Sequence, residues 1–131
     1  MAQKYLIGDI VMYKNRIHTI IDISISNGYE LSDVRNPVNP IKLSRVPLTT
    51  EILEKNGWKL HKHHKRDSYD DISWSSYHKP AETNISLIFY PEENAFILFL
   101  YAEEISETPI RYIHQLQHLL FGLMLNHEME V

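Results

Sequence analysis

Asn84-Ile85-Ser86-Leu87-Ile88-Phe89-Tyr90-Pro91-Glu92-Glu93-Asn94-Ala95-Phe96-Ile97-Leu98-Phe99-Leu100-Tyr101 is the stretch that decides the fold. Two runs rich in β-branched and aromatic side chains flank Pro91-Glu92-Glu93-Asn94, a turn in which proline stands where its fixed φ suits. The pattern predicts an antiparallel hairpin. Its strands are apolar on both faces, so both sides are expected to be covered.

The last part of the chain offers the cover. Thr108 caps a predicted helix, Pro109 takes its first position, and the helix runs through about Leu125. At ~100° per residue, Tyr112, Ile113, Leu116, Leu119, Leu120 and Leu123 gather on one side. Burying five or six such side chains at ~1.5–3 kcal/mol each is a large contribution in a small domain. Upstream, Thr49 or Thr50 caps a short helix with Glu51 in its first turn and Ile52 and Leu53 on its apolar side. Asn56-Gly57 ends that helix.

The first third reads as short strands. Residues 9–13 and 17–23 form a hairpin over Lys14-Asn15-Arg16, where Asn15 supplies the positive φ. Asn27-Gly28 makes the next turn into residues 28–32, and the three strands suggest a small SH3-like sheet. Pro37, Pro40 and Pro47, with Asn36 and Asn39, make residues 35–47 an irregular crossing. Residues 58–62 read as a strand with Trp58 and Leu60 inward, residues 63–71 as a polar loop and residues 72–77 as another strand. The fold class expected is α+β: a small N-terminal SH3-like β subdomain over residues 1–46, then a short helix and an antiparallel sheet covered by the long C-terminal helix over 47–131. One continuous domain over 1–131 is the alternative.

The chain has 131 residues, 44% hydrophobic and 23% charged, which fits a packed core and argues against disorder. With no cysteine, disulfide scaffolds, thiol nucleophiles and cysteine-based zinc sites are excluded. No apolar run reaches the roughly 18 residues of a membrane span, and MAQKYLIGD lacks the apolar core of a signal peptide. A soluble, cytoplasmic protein without a membrane partner is expected. The net charge of −4 hides an asymmetry. Residues 1–66 carry eleven Lys and Arg against six acids, and residues 67–131 two against eleven. Either the surfaces of one fold balance each other, or a basic face meets RNA or an acidic partner and an acidic face meets a basic one.

The densest basic run is WKLHKHHKR, residues 58–66. Lys59, Lys62, His63, His64, Lys65 and Arg66 are the candidate nucleic-acid-binding residues, since cations displace counterions from a phosphate backbone. Strand alternation groups Lys59, His61 and His63, and Trp58, Tyr69 or Trp74 offers rings for base stacking. The structural alternative is a solvated loop paired to Asp67, Asp70 and Asp71, and metal capture by the His-rich tract is a third reading. His114 and His118 have the i, i+4 spacing of a helical metal pair, but position 115 is Gln, and only His127 offers itself as a third ligand. Structural roles suit them better. The acids Glu92, Glu93, Glu103, Glu104 and Glu107 sit around the hairpin without a carboxylate pair across a cleft. GxSxG, GxGxxG and GxxxxGK[ST] are all missing, which argues against an enzyme. No cofactor and no metal is expected.

Three segments, LIGDIVMYKN (6–15), PLTTEILEKNGW (47–58) and RYIHQLQHLLFGL (111–123), resemble a family of small uncharacterised proteins of Bacteroidota and their phages. Its members run from a β-rich start through a P-L-T-x-E helix to a terminal Y-x-H-Q-L-Q helix. The resemblance carries over no activity and no catalytic residue. In size, charge asymmetry and lack of a catalytic signature the chain is also similar in context to anti-CRISPR proteins, including inhibitors of type VI RNA-guided RNases. The expected function is a phage-associated, non-enzymatic inhibitor whose partner is a host RNA-guided nuclease, its guide RNA, or both. The alternatives are a protein–protein adaptor of a mobile element using its acidic surface, and a metal-dependent enzyme using His114 and His118.

Overall fold

The computed structural model describes residues 5–24, 28–69, 71–80, 82–101, 103–106 and 108–131, without the side chain of Thr83. The fold is α+β, with two antiparallel sheets and two α-helices among the described residues. Close contacts group the chain into two compact units, Met1–Pro47 with Tyr112–Met129, and Leu48–Arg111.

The first unit holds strands β1 (Ile10–Tyr13), β2 (Arg16–Ser24), β3 (Gly28–Leu31) and β4 (Ser44–Arg45), in the order β3-β2-β1-β4. Tyr13 faces Arg16, so the first hairpin turns on two residues, Lys14 and Asn15, at φ 49° and 62°. Positive φ at both positions is the turn whose twist matches the strands it joins. Asn27, half of the expected next turn, lies outside the described residues. Gly28 is required where it stands, because a Cβ there would meet the carbonyl oxygen of Val38 at 2.3 Å. The proline-rich crossing is more ordered than its composition suggests. Val38 bridges Tyr29, Asn39 caps a 3-10 turn over Pro40–Lys42, and Ser44 and Arg45 add the fourth strand. Tyr5, Val11, Ile20, Tyr29, Leu31 and Val38 form this unit's core.

Helix α2 spans Ile113–Gly122, shorter than the expected 109–125. Its start is delayed because the preceding backbone is used in extended pairing. Ile110 exchanges both of its backbone hydrogen bonds with Phe96, the N–H of Leu48 donates to the carbonyl of Arg111, and the N–H of Ile113 donates to Val46. Pro109 therefore precedes the helix by a full turn, and the side chain of Gln115 reaches back to accept from the Tyr112 N–H at 3.0 Å. The helix groups with the N-terminal strands in the first unit. Fully buried Gln117 ties it to them, accepting from the Ile10 N–H at 3.0 Å and donating to the Gly8 carbonyl at 2.8 Å.

The second unit begins with helix α1 (Thr50–Lys55), where the Thr49 hydroxyl accepts from the Ile52 N–H at 3.2 Å. A five-stranded meander follows: β5 (Lys59–His64), β6 (Trp74–Lys79), β7 (Glu82–Tyr90), β8 (Ala95–Leu100) and β9 (Glu103–Glu104). The β7–β8 hairpin pairs Tyr90 with Ala95 across the four-residue turn, and Asn94 sits at φ 50°. One face is buried through Ile85, Leu87, Phe96 and Leu98. On the other, Ile88 and Ile97 are half-buried, so the covering is less even than two apolar faces imply.

Candidate nucleic-acid interface

The six basic-run residues do not share one loop. Lys59, Lys62, His63 and His64 lie on β5, which extends two residues beyond its expected end, and Lys65 and Arg66 follow it. β5 is an edge of the meander, so among the described residues one side of its backbone has no strand partner. Its entry is set by α1. Gly57 at φ +89° turns the chain out of the helix, and the Trp58 N–H closes on the Leu53 carbonyl at 3.0 Å. Trp58 is thereby buried, 2% exposed, and offers no ring to a base. Leu60, expected inward, is 52% exposed at the sheet margin.

A bulge between Leu60 and Lys62 changes which side chains share a face. Lys59 pairs with His78, Lys62 with Ser76 and His64 with Trp74, so these three point one way. His63 pairs with Ser75 on the other face, its Nδ1 2.8 Å from the Ser75 hydroxyl. The simple alternation of Lys59, His61 and His63 is thus broken by one extra residue. His61 meets His78 edge to face, with ring centroids 5.2 Å apart.

The charged groups divide into engaged and open. His64 stacks on Trp74 at 5.6 Å and 25°, and its Nε2 lies 2.5 Å from the Asp71 carboxylate. That hydrogen bond from His64 holds the Asp71 carboxyl below its usual range. Arg66 organises its own loop, donating to the carbonyls of Ser68 and Tyr69 and lying 3.5 Å from Glu92. Its guanidinium stands 5.8 Å from the Tyr69 ring centre. By contrast, Lys59, Lys62 and Lys65 are exposed, and no ion pair reaches them among the described residues. Tyr69, 91% exposed, is the ring best placed for a base, while Trp74 is half-buried beneath His64. Asp70, one of the expected partners of the basic run, lies outside the described residues.

The helical histidines fall elsewhere. His114 is 1% exposed, and burial lowers its pKa to about 4. His118 is half-exposed, its Nε2 2.7 Å from the buried Asp9 carboxylate. The Asp9 pairing was not anticipated, since 109 residues separate the two and local spacing carries no trace of it. Among the described residues no group of three His, Asp or Glu side chains converges to hold an ion. None of the described helices is long and apolar enough to cross a membrane. No family model, no curated protein and no solved structure matches the chain.

Proposed function

We propose that the protein is a non-enzymatic, cytoplasmic binding protein that takes the phosphate backbone of RNA along β5, and that the RNA is the guide of a nuclease it inhibits. The observation that carries the reading is the row of exposed cations Lys59, Lys62 and Lys65, without an ion pair among the described residues, on and just beyond an edge strand. At ~3.3 Å per residue the row spans roughly 20 Å, long enough to track several nucleotides of an extended strand. Tyr69 supplies a stacking surface beside it, which favours unpaired bases over duplex. The edge-strand lysines also block pairing with another sheet, a role that acidic side chains fill too.

The test uses that difference. Lys59→Glu, Lys62→Glu and Lys65→Glu together keep the edge charged but reverse its sign. Three phosphate contacts predict that wild-type affinity for single-stranded RNA falls about twentyfold from 50 to 200 mM salt, a slope near −0.7 per contact. The triple variant should lose binding while keeping the wild-type oligomeric state, and it should no longer slow target cleavage by a guide-loaded RNA-guided RNase. Binding that ignores salt or survives the reversal refutes the proposal. A second reading, an adaptor for a basic protein surface, draws on exposed Glu92, Glu93, Glu103 and Glu104. It predicts capture of a protein partner that Glu103→Lys and Glu104→Lys abolish.

A further inference from the structure

Within the unit of Met1–Pro47 and Tyr112–Met129, a cavity of about 310 Å³ opens where the segment before β1 meets the end of β2 and α2. Leu6, Ile7 and Ile23 give it aliphatic walls, and the rings of His118, Phe121 and His127 give it aromatic ones. Leu6, Ile7, Ile23 and Phe121 remain 42, 57, 42 and 59% exposed among the described residues, a concentration of apolar side chains around one hollow. Apolar and aromatic walls with a few placed polar groups are the ordinary make-up of a small-molecule site.

The polar wall groups are fixed before any ligand arrives. Asp9, 2% exposed, accepts from the Leu6 N–H at 2.8 Å and pairs with His118 at 2.7 Å. Gln117, fully buried, is held by Ile10, Gly8 and the carbonyl of His127. His127 meets Phe121 edge to face at 5.1 Å. Hydrogen bonds in so apolar a setting lock their partners and lower the ordering cost of binding.

We propose that this cavity binds a small uncharged aromatic molecule of about two fused rings carrying one hydrogen-bonding oxygen. Size sets the ring count. A cavity of ~150 Å³ accommodates benzene, so one near twice that volume admits a second ring. Aromatic walls reward an aromatic guest through edge-to-face and offset contacts. No Lys or Arg lines the cavity among the described residues, and the Asp9 carboxylate already has His118 as its partner, which disfavours a charged acid or amine. The His127 imidazole on the cavity wall is the group offered to the oxygen, since the His118 Nε2 is held by Asp9.

The probe is 2-naphthol, titrated into the full chain and followed by NMR. Saturable shifts are expected at Leu6, Ile7, Ile23 and Phe121 below about 1 mM, within the affinity that eleven heavy atoms can deliver. Phenol and the saturated analogue decahydro-2-naphthol should each bind about tenfold more weakly. Ile7→Asp, at an exposed position where the fold tolerates charge, should weaken 2-naphthol about tenfold, and Phe121→Ala should do the same. The proposal fails if 2-naphthol gives no saturable shift, if the saturated analogue binds equally well, or if Ile7→Asp leaves the titration unchanged. It also fails if these residues shift with protein concentration alone, which would make a second copy the occupant.

Discussion

The five-stranded sheet ends in two strands of opposite chemistry. β5 carries Lys59 and Lys62 with three histidines in six residues, while β9 is the acidic pair Glu103–Glu104. Three strands separate them, so at ~4.8 Å per step the edges lie roughly 19 Å apart. That is about twice the ~8 Å screening length at physiological salt, so neither edge neutralises the other. Charge of either sign keeps an open edge from pairing with another sheet. Protection therefore explains why both edges are charged and leaves the sorting of signs to be explained by what each edge meets. A chain total of −4 describes neither.

The largest effect should come from breaking the entry to β5. Trp58→Ala removes a fully buried ring beside the edge and is expected to cost about 3–5 kcal/mol in denaturant unfolding. Because Trp58 leads directly into β5, amide exchange should quicken more in Lys59–His64 than in β7 and β8. Uniform loss of protection across the sheet would show that the basic edge is not a separable element.

His61 and His63 of β5 are exposed, whereas His114 in the other unit is buried. Burial lowers the His114 pKa to about 4, against about 6.5 in an unfolded chain. The native state therefore resists a proton that the unfolded state takes up, and stability falls as pH drops from about 6.5 to about 4. The loss attributable to His114 is about 3 kcal/mol, and it is fully absent above pH 6.5. Unfolding free energies measured at pH 7 and 4.5 should differ less in His114→Leu, by up to about one proton's worth of slope. An identical pH dependence in that variant would place the sensitive group elsewhere.

Reversing the acidic edge sharpens the comparison further. Glu103→Lys with Glu104→Lys should leave RNA affinity at 150 mM salt within about twofold of wild type, since the site lies more than a screening length away. A large gain would mean that RNA reaches across the whole sheet.

The contrast between the edges also marks how far the sequence could be read. The β7–β8 hairpin, the Thr49 cap and the Gly57 stop were legible because each depends on residues within a few positions of one another. The bulge at His61 was not, because it is a mismatch between two strands and changes no local pattern. For the same reason Thr108 and Pro109 misled: pairing of Ile110 with Phe96, fourteen residues earlier, outweighs a good local start signal. At the site, composition found the cations, and only tertiary contacts show that Arg66 and His64 are engaged while Lys59, Lys62 and Lys65 have no ion pair among the described residues.

The smallest effect tests a device shared by both units. Each helix ends with a residue in the left-handed region whose neighbours close back on the last turn. In α1 that residue is Gly57 at φ +89°; in α2 it is Met124 at φ 60°, with the Met124 and Leu125 N–H groups donating to Phe121 and Leu120. Space is not what selects glycine at 57, because a Cβ there would come no closer than 4.0 Å to the Lys79 side chain. The backbone angle is, at about 1 kcal/mol for a residue with a Cβ. Gly57→Ala should thus destabilise by about 1 kcal/mol and loosen the start of β5. Met124→Gly should stabilise by about 0.5 kcal/mol, its relief of strain partly offset by a more flexible unfolded chain. Met124 is 94% exposed, so no packing is lost with it, and RNA binding at β5 should not change. If Met124→Gly instead destabilises the protein, the methionine side chain makes a contact that its exposure hides, and the end of α2 becomes a surface to probe in its own right.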